Sequence, residues 1–418
     1  MNRVCITGIG VVAPGGNTVD DFWSVLLSGQ SQTRTISLFD ASSFRSQTAA
    51  ECTFDPILEG LSPREARRMD RATQMAVVSM RQAVQDAGLQ RSDQLASRCA
   101  VSIGNAVGCT TSLEREYAVT SDSGRLWEVD LEYAVPELYT HFVPSSIAVE
   151  IARDFGAEGP VSVISTGCTS GIDSVGNAFE LIAAGHADVV LAGAAEAPIS
   201  PITSACFDAI LATSPRNDTP ESACRPFDAT RSGLVLGEGA AALVLESYDH
   251  AIARGAHIYA EIKGFASRCN SFHMTGLSPH GTEMSDAINS ALSQGEVAPS
   301  EVDYINAHGS GTKMNDRHET GAFKKSFGAQ AYDIPISSIK AIVGHSLGAI
   351  GAIELVACVL AMTHNVVPPT ANLTTTDPEC DLDYVPLTAR DHKTETVLSV
   401  GSGFGGFQSA IVLSRKGF

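Results

Sequence analysis

The stretch Val161-Ser-Val-Ile-Ser-Thr-Gly-Cys-Thr-Ser-Gly-Ile-Asp-Ser-Val-Gly-Asn177 reads as a short β-branched strand that enters a turn of small residues and leaves it as a helix. Cys168 lies in that turn. A cysteine at the start of a helix faces unpaired N–H groups and the positive end of the helix dipole, so the thiol is expected to have a lowered pKa and to act as a nucleophile. Taken alone, Cys168 also fits a cysteine packed as a small hydrophobe.

A second stretch changes that balance. Pro335-Ile-Ser-Ser-Ile-Lys-Ala-Ile-Val-Gly-His-Ser-Leu-Gly-Ala-Ile-Gly-Ala-Ile-Glu-Leu355 has the same plan: an apolar run, a glycine, a chemically active residue, a glycine three positions on, then an apolar helix. His345 stands where Cys168 stands, and Gly348 where Gly171 stands. Two further pairings point the same way. Arg98-Cys-Ala-Val-Ser-Ile-Gly-Asn-Ala-Val-Gly108 matches the segment from Val302 through His308, and the segment from Gly233 matches that from Leu398. Each half then alternates strands with helices and closes on a Gly-rich hairpin. The chain reads as an internally duplicated α/β protein, with residues 1–255 carrying the cysteine and residues 256–418 carrying His308 and His345. A pseudo-twofold arrangement brings all three to the centre.

The composition of the 418-residue chain narrows the function classes. A hydrophobic content of 44% supplies a large core, and 37 glycines suit many tight strand-to-helix turns. The N-terminus enters what reads as a strand, and no run reaches the roughly 18 uninterrupted apolar residues of a membrane span. A cytoplasmic enzyme with no membrane association is expected. The ten cysteines contain no C-x-x-C pair and no zinc-type spacing, so reduced thiols and no metal site are expected. A net charge of −19 argues against a nucleic-acid partner.

One local exception is basic. Ser62-Pro-Arg-Glu-Ala-Arg-Arg-Met-Asp-Arg71 contains Arg64, Arg67, Arg68 and Arg71 behind a capping box formed by Ser62 and Glu65. It is either a solvated helix face or a docking patch for a small acidic partner. Two other motifs compete for attention. Gly8-Ile-Gly-Val-Val-Ala follows a strand as a dinucleotide loop does, but it lacks the third glycine and the immediate helix. Gly344-His-Ser-Leu-Gly348 matches the G-x-S-x-G nucleophile elbow, which makes Ser346 a rival nucleophile for a serine acyltransferase. That reading needs a histidine after the serine, and only His364 and His392 follow, neither in a recognisable context.

Ser165-Thr-Gly-Cys-Thr-Ser-Gly, Asn306-Ala-His-Gly-Ser-Gly-Thr, Ser338-Ile-Lys-Ala-Ile-Val-Gly-His-Ser-Leu-Gly-Ala and Gly401-Ser-Gly-Phe-Gly-Gly-Phe together resemble the four signature segments of the elongating β-ketoacyl-acyl-carrier-protein synthases. The resemblance runs nearly end to end. It implies the thiolase fold, two similar α/β halves in an α-β-α-β-α stack. The wording at Asn315-Asp-Arg-His-Glu-Thr, Cys380-Asp-Leu-Asp-Tyr-Val-Pro and Phe407-Gln408 is most similar to ketosynthase α subunits of type II aromatic polyketide synthases. Fatty-acid relatives more often carry threonine at the position of Ser310 and Thr-Asn at Phe407-Gln408. A homodimeric fatty-acid-type synthase is the second reading.

The resemblance also assigns roles. It implies that Cys168 accepts the acyl chain, and that His308 and His345 stabilise the enolate left when malonyl-carrier protein loses CO₂. The backbone N–H groups of Cys168 and Phe404 would form the oxyanion hole for the acyl thioester. Lys340 and Glu319 match a charged pair near the first histidine. Ser310, Thr312 and Thr275 match positions on the phosphopantetheine arm and malonyl site, and Phe404 matches an aromatic gate. Arg67, Arg68 and Arg216 match positions that receive the acyl carrier protein. The implied partners are that carrier protein, which delivers the phosphopantetheine, and a chain-length-factor subunit in a heterodimer. No cofactor is implied on the chain itself. Val107 matches an interface position lining the acyl tunnel.

Overall fold

Strand β1 (Val4–Val12) is buried along all nine residues, which is why it reads as an apolar run without alternation. Its Gly8 and Gly10 lie against helix α1 (Arg71–Asp86): a Cβ at either would stand 2.2 Å from the Ala83 carbonyl oxygen or 2.0 Å from that of Ser79. These glycines serve helix-on-strand packing, and the dinucleotide-loop reading ends there. The computed structural model describes residues 2–126 and 129–417.

The remaining strands of the large sheet are β2 (Cys99–Gly104), β3 (Val161–Ile164), β4 (Val189–Glu196), β5 (Gly239–Ser247), β6 (Ala260–Cys269), β7 (Tyr304–Asn306), β8 (Ile336–Ser337), β9 (Thr396–Gly403) and β10 (Phe407–Ser414). They form one ten-stranded sheet in the order β3-β2-β4-β5-β1-β6-β10-β9-β7-β8. The first five strands, numbered within their half, run 3-2-4-5-1, and the last five run 1-5-4-2-3, the same order read outward from the junction, as a pseudo-twofold requires. Even the strand senses repeat: β3-β2-β4 and β8-β7-β9 are parallel, while β4-β5-β1 and β9-β10-β6 are antiparallel. The halves join where Val4 of β1 pairs with Ile262 of β6. The duplication read from the sequence is therefore a duplication of topology.

Helices α2 (Ser146–Phe155), α3 (Ser170–Ala183), α4 (Thr282–Gln294), α5 (Lys313–Phe327) and α6 (Ile350–His364) complete the layers. Helices α1 and α2 cover the outer face of the first half, and α4 packs on β6 and β10 with α5 behind it. Between the halves lie α3 and α6, which touch each other and strands of both. This is the five-layer stack. The two inner helices cross closely because Gly171 and Gly351 carry no side chains; a Cβ at Gly171 would stand 2.5 Å from the Ala352 nitrogen. The apolar stretch Leu347–His364, long enough by composition to cross a bilayer, is 89% buried in this central layer.

Two sequence readings need correction. The second half closes on a hairpin, β9 to β10, but in the first half the corresponding strands β4 and β5 are separated by residues 197–238, including the helix Pro201–Ala209. The register of the matched turns also differs. Gly167–Thr169 and Leu347–Ala349 are both 3-10 turns leading into α3 and α6, with ψ of 36° at the preceding residue and φ of 61° at Gly167 against 44° at Leu347. The counterpart of Cys168 is thus Gly348, and His345 corresponds to Ser165. The spacing of small residues misled by three positions because glycine recurs through both turns.

Candidate active site

Cys168 is carried at the mouth of α3, in the turn after β3, and is 9% exposed. It packs with Leu234, Leu236 and Leu347, with Ala106, Val107 and Phe207 around them. Asp173, one turn into α3, fixes the approach by accepting from the hydroxyls of Thr166, Thr169 and Ser409 at 2.5, 2.8 and 2.5 Å. The expectation of a lowered thiol pKa is overturned. Burial pushes Cys168 up to about 12, outweighing the Lys340 charge and the N–H groups of Phe404 and Cys168 itself, all of which favour the thiolate. The group at rest is a thiol, with two amides already aimed at its sulfur.

His308 follows β7 and His345 follows β8 by way of a short helix, Lys340–Val343. Both are buried, and their rings meet at 78° with centroids 5.2 Å apart. Burial, then the Lys340 charge, holds both well below the usual histidine range, so both are neutral at pH 7. The Leu347 N–H donates to Nδ1 of His345 at 3.2 Å. Nδ1 is therefore the acceptor nitrogen, and Nε2 of His345 carries the proton.

Lys340 and Glu319 both sit behind His308, but they are not each other's ion pair. Lys340 Nζ donates at 2.5 Å to Oε1 of Glu354, on α6, and at 2.5 Å to the carbonyl of His308. Glu319, on α5, instead accepts the backbone N–H groups of His308 and Gly309 at 2.5 and 2.8 Å. Burial pushes Glu319 up to about 8 and Glu354 to about 7. These groups fix the backbone of His308.

One cavity is lined by Cys168, His308, His345, Phe404, Ser310, Thr312 and Thr275. The Ser310 and Thr312 hydroxyls lie 3.0 Å apart, and Thr312 also caps α5. The Phe404 ring stacks on Phe207 with centroids 6.3 Å apart. Ser346 is not among the lining residues. It is buried and its Oγ has no hydrogen-bond partner among the described residues. His364 stacks on Trp23 and His392 bonds the Asp303 carbonyl at 2.8 Å, so neither serves Ser346. Among the described residues, no histidine is bonded to Ser346 as a base.

The basic helix Pro63–Arg68 has the capping box read from the sequence. Arg64 and Arg67 are exposed. Arg68 is held by Glu150 through Nε and Nη2 at 2.9 and 2.7 Å, and Arg71 by Glu238 at 2.7 Å, so those two guanidinium groups are already committed. Arg216 is half-buried and reaches the Thr230 carbonyl at 3.3 Å. Among the described residues, no group of three or more His, Cys, Asp or Glu side chains is arranged to hold a metal.

Sequence reading missed Glu354, Asp173, Phe207 and Glu196. Glu196 ends β4 at 0% exposure and accepts from the side chain of Asn105 at 3.0 Å and from the N–H groups of Ala106, Val107 and Gly348 at 2.6, 3.2 and 3.1 Å. Burial pushes it up to about 8 against those donors. The available signal was an acid closing an otherwise apolar run.

Comparison with known proteins agrees with this geometry. Residues 1–251 match the model described as β-ketoacyl synthase, N-terminal domain, and residues 259–374 the C-terminal domain. The tetracenomycin polyketide synthase ketoacyl synthase alpha subunit of Streptomyces glaucescens is 61% identical over 99% of this chain and 97% of its own length. A 3-oxoacyl-[acyl-carrier-protein] synthase 2 of Coxiella burnetii is 42% identical over 99% of this chain and 98% of its own. A solved structure of a type II polyketide acyl carrier protein in complex with its ketosynthase bound to the hexaketide matches with TM-score 0.92 at 39% identity, covering 99% of each chain. The ishigamide ketosynthase/chain length factor matches with TM-score 0.89 at 33% identity over the whole of both chains.

Proposed function

Because this chain belongs to the β-ketoacyl synthase family, we infer that it is the catalytic ketosynthase α subunit of a type II polyketide synthase, extending a cysteine-bound acyl chain by decarboxylative condensation. The observation that carries the chemistry is the single cavity that joins Cys168, two neutral histidines and the Phe404 loop. Identity of 61% to a polyketide α subunit, against 42% to a fatty-acid-type enzyme, favours the polyketide reading.

The Cys168 sulfur attacks the acyl thioester of a carrier protein. A new C–S bond forms, the pantetheine sulfur leaves, and the thiol proton goes with it. In extension, malonyl-carrier protein loses CO₂ and its thioester oxygen becomes an enolate oxygen. The Nε2–H of His345 supports that charge, with His308 beside it. The enolate carbon then attacks the acyl-cysteine. The transient oxyanion lies against the N–H groups of Cys168 and Phe404, the C–S bond to Cys168 breaks, and the expelled sulfur takes up one proton from water to return as the thiol. A charge expelled in a water-poor cavity needs donors already in place, and these amides need no reorganisation.

Ser310, Thr312 and Thr275 line the same cavity and would receive the phosphopantetheine arm, a substrate handle delivered by the carrier protein. We assign Arg67 and Arg216 to carrier-protein docking, Arg68 being engaged by Glu150, and a chain-length factor is the expected partner. We divide the halves at 255/256, between the helix Tyr248–Ala253 and β6, and place the protein in the cytoplasm. The test is incubation with an acyl-carrier-protein thioester followed by peptide mass spectrometry. Acylation at Cys168 that disappears in Cys168→Ala supports the reading, and acylation at Ser346 overturns it.

A further inference from the structure

Glu196 is buried between the two halves, and every group bonded to it is a donor. It takes Asn105, Ala106 and Val107 from the loop after β2 in the first half and the Gly348 N–H from the catalytic turn of the second. Three features tie this carboxylate to His345 and not to packing alone. Leu347 adopts φ of 44°, a left-handed conformation that an L side chain resists, where the matching turn uses Gly167. The Leu347 N–H is also the donor to Nδ1 of His345, so this strained residue fixes which ring nitrogen carries the proton. The next N–H along the chain, that of Gly348, is the one Glu196 holds at 3.1 Å. Space at Gly348 is reserved for this contact, since a Cβ there would stand 2.5 Å from the Ala106 nitrogen and 2.6 Å from Oε2 of Glu196.

We propose that Glu196 is a positioning residue for the decarboxylation half of the reaction: it holds the strained Leu347–Gly348 turn so that His345 presents Nε2–H to the malonyl thioester. It also ties that turn to Ala106 and Val107, which border the cluster around Cys168. The inference rests on the condensing activity proposed above and adds a residue that does not touch substrate.

The test separates the two half-reactions on the full chain with its partner subunit. Acylation of Cys168 is followed by mass spectrometry, and CO₂ release from malonyl-carrier protein is followed in a single turnover on pre-acylated enzyme. Glu196→Gln places an NH₂ against backbone donors and lowers CO₂ release roughly 10- to 100-fold while leaving acylation within about twofold. Glu196→Asp, which keeps the carboxyl group but shortens the reach, recovers part of the loss. Nitrogen NMR of His345 shows a single tautomer with unprotonated Nδ1 in the parent protein and a mixture in Glu196→Gln. Equal loss in both half-reactions, or no loss in either, overturns the proposal. Should Glu196→Gln not accumulate as folded protein, Glu196→Asp, the milder change at the same contact, must by itself show the split between the half-reactions. A parent protein that releases no CO₂ at all would instead overturn the condensing function itself.

Discussion

The imidazole of His308 stands across that of His345 at 78°, with ring centres 5.2 Å apart, and neither ring is charged at neutral pH. Two protonated rings at that separation would repel each other beside Lys340. Two neutral rings can both donate toward one oxygen.

Replacing either histidine with alanine therefore removes an oxyanion donor, and CO₂ release should fall about 10²- to 10³-fold. Acylation of Cys168, which develops its charge near the Phe404 amide, should change far less. Separate rates for the two half-reactions check this.

The Cys168 thiol, pushed up to about 12, should alkylate slowly at pH 7. Its rate with iodoacetamide should rise about tenfold per pH unit from pH 7 to 10, because each unit raises the thiolate fraction tenfold below the pKa. Peptide mass spectrometry distinguishes it from the exposed Cys206 and Cys269. A plateau near pH 7 would show a resting thiolate.

The Lys340–Glu354 pair is fully buried, so Lys340→Met leaves a buried carboxyl group and the His308 carbonyl without their donor and should lower stability by about 1–3 kcal/mol. Adding Glu354→Gln supplies a neutral amide in place of the stranded acid and should restore part of the loss. Denaturant melts of the single and double variants measure the difference.

Arg67 projects into solvent, whereas Arg68 is occupied by Glu150. Arg67→Glu should slow acyl transfer from an acidic carrier protein and leave transfer from a small thioester mimic unchanged, with a deficit that shrinks as salt is raised. Arg68→Glu should reduce transfer from both donors, since it sets two carboxylates against each other. Stopped-flow acylation with both donors at two ionic strengths separates these outcomes.

Cys168, His308 and His345 were legible because each stands in a strand-to-helix turn whose glycines are needed locally, and local needs are written in consecutive residues. The duplication was legible too, because matching segments can be compared along the chain, whereas the strand order was not. What escaped was set by residues distant in sequence. The thiol's raised pKa depends on Leu234, Leu236 and Leu347, which no reading of the 161–177 segment contains. Glu354 hides on an apolar helix, and its relation to Lys340 appears only when α6 packs against β5 and β9. Arg68 looked free until Glu150 arrived from another helix.

The two turns that face each other at the centre of the fold differ in one respect with a consequence for stoichiometry. Where the first turn offers Cys168, its counterpart Gly348 is walled in by the Ala106 nitrogen and Glu196, with no volume for even a methyl group. A duplicated framework is thus one-sided at its centre. The second turn has no room for a nucleophilic side chain, so on the proposed mechanism each subunit tethers one growing chain at a time.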